Sequence, residues 1–147
     1  IYGGFETEIF YTGIGGFDTH SDQAARQVSL FGEIDDALGV FFTDLTAQGV
    51  WNDTVVVVIS EFGRRNYENG SDGTDHGHAN TMIVTGGPVN GGIHGDPLVD
   101  ADLNAEYLPY TTDFRDVYRN LIQGHLGENP APIFPETQPT SSTINVV

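Results

Sequence analysis

The chain has 147 residues with 5 Lys+Arg against 21 Asp+Glu, a formal net charge of −16, which excludes the basic face that nucleic-acid phosphates and anionic lipid surfaces require. All five cations are arginines (Arg26, Arg64, Arg65, Arg115 and Arg119), cysteine is absent, and the longest purely apolar run is Val55 to Ile59, so disulfides, thiolate metal sites and a membrane-spanning helix are excluded too. Counting glycine and leaving out tyrosine, roughly 47% of the residues are apolar, ordinary for a globular domain and unlike a disordered acidic tail.

Glu8 to Gly13 is a short β-type run, followed by a glycine-hinged loop, Gly15-Gly16-Phe17-Asp18-Thr19-His20. From Ser21 to about Gln48 the spacing of Phe31, Ile34, Leu38, Phe41/Phe42 and Leu45 predicts one long helix, with Ser21 as N-cap and Gly49 just past its end. Thr54 to Ser60 is a strand, and its unbroken apolar stretch predicts burial on both faces, as in a parallel sheet reached through a βαβ crossover. Glu61 to Asn80 is polar and glycine-punctuated and reads as a long functional loop. Thr81 to Thr85 is a third strand, turns follow at Gly86-Gly87-Pro88 and Gly91-Gly92, and Thr112 to Leu126 is a second helix with Phe114, Val117, Tyr118, Leu121 and Ile122 on one side. Residues 1–127 form the domain, and residues 128–147, with their prolines and Ser/Thr cluster, form an extended or loosely packed tail.

In open α/β sheets, ligands collect beyond the carboxyl ends of strands. Three segments at such ends carry ligand-type side chains: Asp18 with His20, Glu61 directly after the apolar strand, and Asp75-His76-Gly77-His78 ahead of the third strand. Mixed carboxylate and imidazole ligands suit zinc, manganese or iron, whereas calcium and magnesium prefer oxygen alone. A divalent ion would also neutralise this concentration of polar groups. Each element also has a plainer reading. Asp18-Thr19-His20 can cap the helix, Glu61 can pair with Arg64 or Arg65, and Asp75-His76-Gly77 can be a turn. His94, among glycines, reads as structural, and His125 reads as a partner of the helix dipole. The case for a site rests on the combination.

Four blocks, Gly15-Gly16-Phe17-Asp18-Thr19-His20-Ser21-Asp22-Gln23, Ser60-Glu61-Phe62-Gly63-Arg64-Arg65, residues 68–77 and residues 111–118, resemble one bacterial family, domain-of-unknown-function family fifteen-oh-one, grouped with the alkaline phosphatase and sulfatase superfamily. The blocks occur in the family order. The resemblance implies an alkaline-phosphatase-like three-layer α/β/α sandwich with a mostly parallel sheet, and a periplasmic or extracellular, exported protein. It implies divalent ions, zinc first with manganese, iron or calcium as alternatives. Carried over position by position, the ligands would be Asp18, His20, Glu61, Asp75 and His76, with His78 as a sixth, and Arg64 would face an anionic substrate or pair with Glu68.

The superfamily keeps its nucleophile and a further metal-binding Asp upstream of these blocks. Thr19, Ser60 and Thr74 are hydroxyls near the site, but none stands in a nucleophile context. The expectation is therefore the carboxy-terminal part of a larger domain, needing a missing amino-terminal part or a partner chain, without which a sheet edge stays exposed. The function expected is a metal-dependent hydrolase of phosphate or sulfate esters, acting on a small anionic ester or a polysaccharide. The alternative is a non-catalytic exported scaffold, surface-layer or assembly protein that keeps the fold. A calcium module fits less well, because the acidic residues lack EF-hand spacing.

Overall fold

Helix α1 runs from Gln23 to Ala47, within a residue or two of the bounds its apolar spacing predicts. Its start is held from outside. Asp22 takes a left-handed conformation with no side-chain cap, and the Asp22 and Gln23 amides donate to the carbonyls of Ser71 and Asp72. Asp22 thus replaces Ser21 at the cap, and a distant turn supplies the acceptors that orphan helical amides need. At the far end Gly49 has φ 74, the left-handed closure that glycine gives a helix. A single turn of 3-10 helix, Trp51–Asp53, links it to the first strand.

The computed structural model describes residues 2–3, 6–136 and 144–147. The strands are β1 (Val55–Val58), β2 (Gly63–Glu68), β3 (Thr74–Gly77) and β4 (Ile83–Gly86). β1 pairs antiparallel with β4, Val58 opposite Ile83, and β2 pairs antiparallel with β3, Arg64 opposite His76. The parallel crossover expected between the strands is thus absent from the described pairings. The β2–β3 hairpin is instead inserted between two antiparallel partners, at the carboxyl end of β1. Glu8–Gly13 forms no strand, and Ile9 and Tyr11 are 74% and 96% exposed. A short helix α2 (Asp100–Leu103) precedes α3 (Phe114–Gly124), whose cap is Asp113, accepting from the Arg115 amide.

Val117 and Leu121 of α3 are buried with Val146, and Val55, Val57, Met82, Val84, Tyr118, Ile144 and Val147 pack around them. Val55 and Val57 stand on one face of β1, as the two-residue period of a strand requires, so α3 covers that face of the β1–β4 pair. The end of the tail is extended but not loose, because Val146 is buried and the Asn120 side chain accepts from the amides of Val146 and Val147. Residues 128–136 form a turn held on α3, where Arg119 donates to the Phe134 carbonyl at 2.9 Å and Tyr118 stacks on Phe134; the part of the tail reading at residues 137–143 lies outside the described residues.

The accessible surface is 10080 Å² for a mass of 15.9 kDa, whereas a compact monomer of that mass exposes about 7,400 Å². Large apolar side chains are among those exposed: along α1, Val28, Phe31, Val40 and Phe42. Leu45 is the only buried residue of that helix. Among the described residues no helix is long and apolar enough to cross a membrane.

Candidate metal centre

Two close approaches shape the site. Gly63 and Gly73 are buried. A Cβ on Gly63 would run into the Ala79 carbonyl, and one on Gly73 would run into the carbonyl group of His20 and the amide of Ser21. Only glycine lets these backbones touch. The Asp18–His20 loop therefore lies directly across the hairpin turn, and the Thr74 amide donates to the Thr19 carbonyl.

Asn69 ties the two together. Its side-chain oxygen accepts from the amides of Ser71 and Gly73, and its side-chain nitrogen donates to the His20 carbonyl at 3.0 Å. Thr19, 1% exposed, points inward, where its hydroxyl accepts from Gln27 and donates to the Phe17 carbonyl. With Thr19 pointing inward, its neighbours Asp18 and His20 are turned outward, and both are exposed.

On the hairpin, directly opposed antiparallel residues share a face, so Arg64 and His76 stand side by side. His76 Nε2 lies 2.8 Å from Asp18 Oδ1, His20 Nε2 lies 2.9 Å from the same oxygen, and the two Nε2 atoms are 3.1 Å apart. Protons alone satisfy this triangle poorly. If both imidazoles donate to Asp18, two N–H groups face each other; if one accepts from the other, it loses the carboxylate. A cation at the apex satisfies all three atoms at once. Typical bond lengths of 2.0–2.1 Å to zinc put neighbouring ligand atoms about 3.0 Å apart in octahedral and about 3.3 Å apart in tetrahedral arrangements. The residues present fit such an ion with movements of a few tenths of an ångström, and their side chains, about half exposed, have room to move. They are the one group of described residues whose ligand atoms converge in this way.

The hydrogen bond from His76 holds the Asp18 carboxyl below its usual range, helped by the charges of His20 and His76 and by the bond from Arg64, with partial desolvation opposing. An acid kept ionised suits a ligand.

The six ligands expected from sequence are thus divided. Asp18, His20 and His76 converge. Asp75 stands behind His20, its Oδ1 3.5 Å from Nδ1, on the side of the ring away from the triangle. Glu61 lies on the connector between β1 and β2, exposed and outside the converging group. His78, just past β3, stacks on Tyr107 with ring centroids 4.7 Å apart. Arg64, expected to meet an anionic substrate, is directed inward instead. Its guanidinium donates to the carbonyls of Thr74 and Phe17 and to Asp18 Oδ1, each at 2.8 Å. Its role is to brace the loop against the hairpin. His94 donates to the Asn90 carbonyl, as a structural histidine does, and His125 closes α3.

Sequence reasoning did not single out Phe62 or Asn69. Phe62 stacks on His76, and Asn69 governs the turn. An Asn four residues before a close-approach glycine is a weak signal, and an isolated Phe is none. A shallow depression elsewhere, lined by Arg115, Ile133, Phe134, Pro135 and Glu136, includes no residue of the cluster.

No curated protein and no solved structure gives a significant match to the chain. The family model described as "Protein of unknown function (DUF1501)" matches residues 7–118, a stretch that holds the three converging side chains, Gly63, Gly73 and Arg64. It covers well over half of the sequence, and the chain belongs to this family.

Proposed function

We propose that the chain carries the divalent-metal centre of a hydrolase acting on phosphate or sulfate esters. The observation that supports this most is the convergence of Asp18, His20 and His76 within 3.1 Å of one another. Two imidazoles with one carboxylate favour zinc, then manganese or iron, over calcium. When bound, such an ion polarises an ester oxygen and lowers the pKa of its water. The chain's own part is to hold three ligands on one side, leaving the solvent side for substrate. The hydrogen bond from His76 is the main support of the ionised Asp18, and Arg64 holds that carboxylate in place. A bound cation also offsets locally the −16 charge that repels anionic esters.

The proposal includes the alkaline-phosphatase-like sandwich. Here the β1–β4 pair is one part of a larger sheet, and further strands and helices of the same domain cover the exposed flank of α1. The surface in excess of a compact monomer supports this. The nucleophile then comes from that further polypeptide or from water. The three hydroxyls near the site are already engaged: Thr19 donates to Phe17, Ser60 to the Phe62 carbonyl and Thr74 to Gln23.

Those engaged hydroxyls also favour the second reading, an exported scaffold in which the ion is structural. Zinc reloading of the chelator-stripped full chain separates the outcomes. The expected result is one ion per chain, lost in Asp18→Ala plus His76→Ala, with turnover of a generic aryl phosphate or aryl sulfate. Stoichiometric zinc without turnover, in a protein that includes the further polypeptide, selects the scaffold. No zinc overturns the metal-dependent hydrolase.

A further inference from the structure

We propose that Phe62 is a positioning residue for His76, setting the plane of its imidazole; this rests on the metal-centre reading above. The Phe62 and His76 rings are stacked, centroids 3.9 Å apart and 24° from parallel. The terminal torsion of a histidine is broad and only weakly set by its own covalent geometry, so a ligand histidine needs an outside partner. Metal-binding histidines commonly obtain one through a hydrogen bond from the second ring nitrogen. His20 has such a candidate, Asp75 behind its Nδ1. No described residue hydrogen-bonds Nδ1 of His76, and its ring rests on Phe62 instead. The two histidine ligands are thus oriented by different devices, a carboxylate for one and an aromatic face for the other.

Phe62 is itself held. The Ser60 hydroxyl donates to its carbonyl at 3.0 Å, and the Asn80 side chain donates to the Ser60 carbonyl. Its neighbour Gly63 is pressed on Ala79. The Arg64 guanidinium carbon lies 5.4 Å from the Phe62 ring centroid, within cation–π range. One ring therefore contacts the His76 ligand and the arginine that braces the Asp18 ligand.

The test is zinc titration calorimetry on the full chain, with cobalt substitution as a spectroscopic readout. Phe62→Leu keeps apolar bulk and removes the ring. Its zinc affinity should fall about ten-fold, the lower end of what losing an outer partner of a metal ligand costs, and its cobalt absorption bands should shift. Phe62→Tyr should restore both. In a His76→Ala background, Phe62→Leu should cause no further loss. Wild-type affinity in Phe62→Leu, or an equal loss with and without His76, overturns the positioning role while leaving the centre standing. If Phe62→Leu does not fold, Phe62→Met is measured in its place under the same criteria. A wild-type chain that takes up no zinc overturns the centre and with it any role for Phe62.

Discussion

The hairpin with its docked loop and the long helix α1 are held in opposite ways. The hairpin region is polar and glycine-rich, yet each backbone approach in it is specified by hydrogen bonds through Asn69, Arg64 and the buried Thr19. Helix α1 is rich in large apolar side chains, yet it is pinned chiefly near its ends, by the Ser71 and Asp72 carbonyls at one and by Leu45 and the Phe42–Trp51 ring contact at the other. Directional bonds order the first region without a core. The second has the apolar surface for a core but only part of the covering layer. Polar content therefore does not mark the loosely held part of this molecule.

The contrast is broken most severely at the buried end of α1. Leu45→Ala empties a fully buried position, and thermal or denaturant unfolding should show a loss of about 2–5 kcal/mol. Gly73→Ala should come next, at about 1–3 kcal/mol, because the new methyl group pushes the His20 carbonyl away. Unlike Leu45→Ala, it should also weaken zinc uptake, since the displaced loop carries Asp18 and His20. Equal zinc affinity in Gly73→Ala would show that the loop does not set the site.

Asp113→Ala removes the cap of α3 and its pair with Arg115 and should cost about 1 kcal/mol. Acid sharpens the same point. The Arg115 hydrogen bond lowers the Asp113 pKa, and the His76 hydrogen bond lowers that of Asp18. Each contribution is therefore fully present above the ordinary Asp value near 3.9 and is lost as pH falls through the lowered folded value. A chemical-denaturation series from pH 6 downward should show this loss beginning only below about pH 4, and an Asp113→Ala chain should show less of it. The smallest effect belongs to the open flank of α1. In this chain, where Phe31 is exposed, Phe31→Gln should change stability by less than about 0.5 kcal/mol in denaturant unfolding. A larger loss would mean that Phe31, through its contact with Phe17 at 5.3 Å, already serves as core.

Much of this was legible from local pattern. The apolar spacing located α1 and α3 closely, the valine run located β1, and Asp18, His20 and His76 stood out as ligand types at element ends. Less legible was the stretch from Glu61 to Asn80. Its glycines read as loop punctuation because close approach and flexibility use the same residue, and only the neighbouring backbone distinguishes them. The valine run predicted two-sided burial, but run composition carries no information about strand direction.

The sequence by itself determined α1, α3, β1 and β4 and which side chains have metal-ligand chemistry, because these follow from periodicity and functional groups within a few residues. The tertiary structure alone decided that β1 meets β4 antiparallel, that the polar stretch is a hairpin, and that three of the six expected ligands converge. Those outcomes depend on contacts between residues such as Asp18 and His76, 58 positions apart, and on backbone approaches at Gly63 and Gly73 that no local pattern encodes.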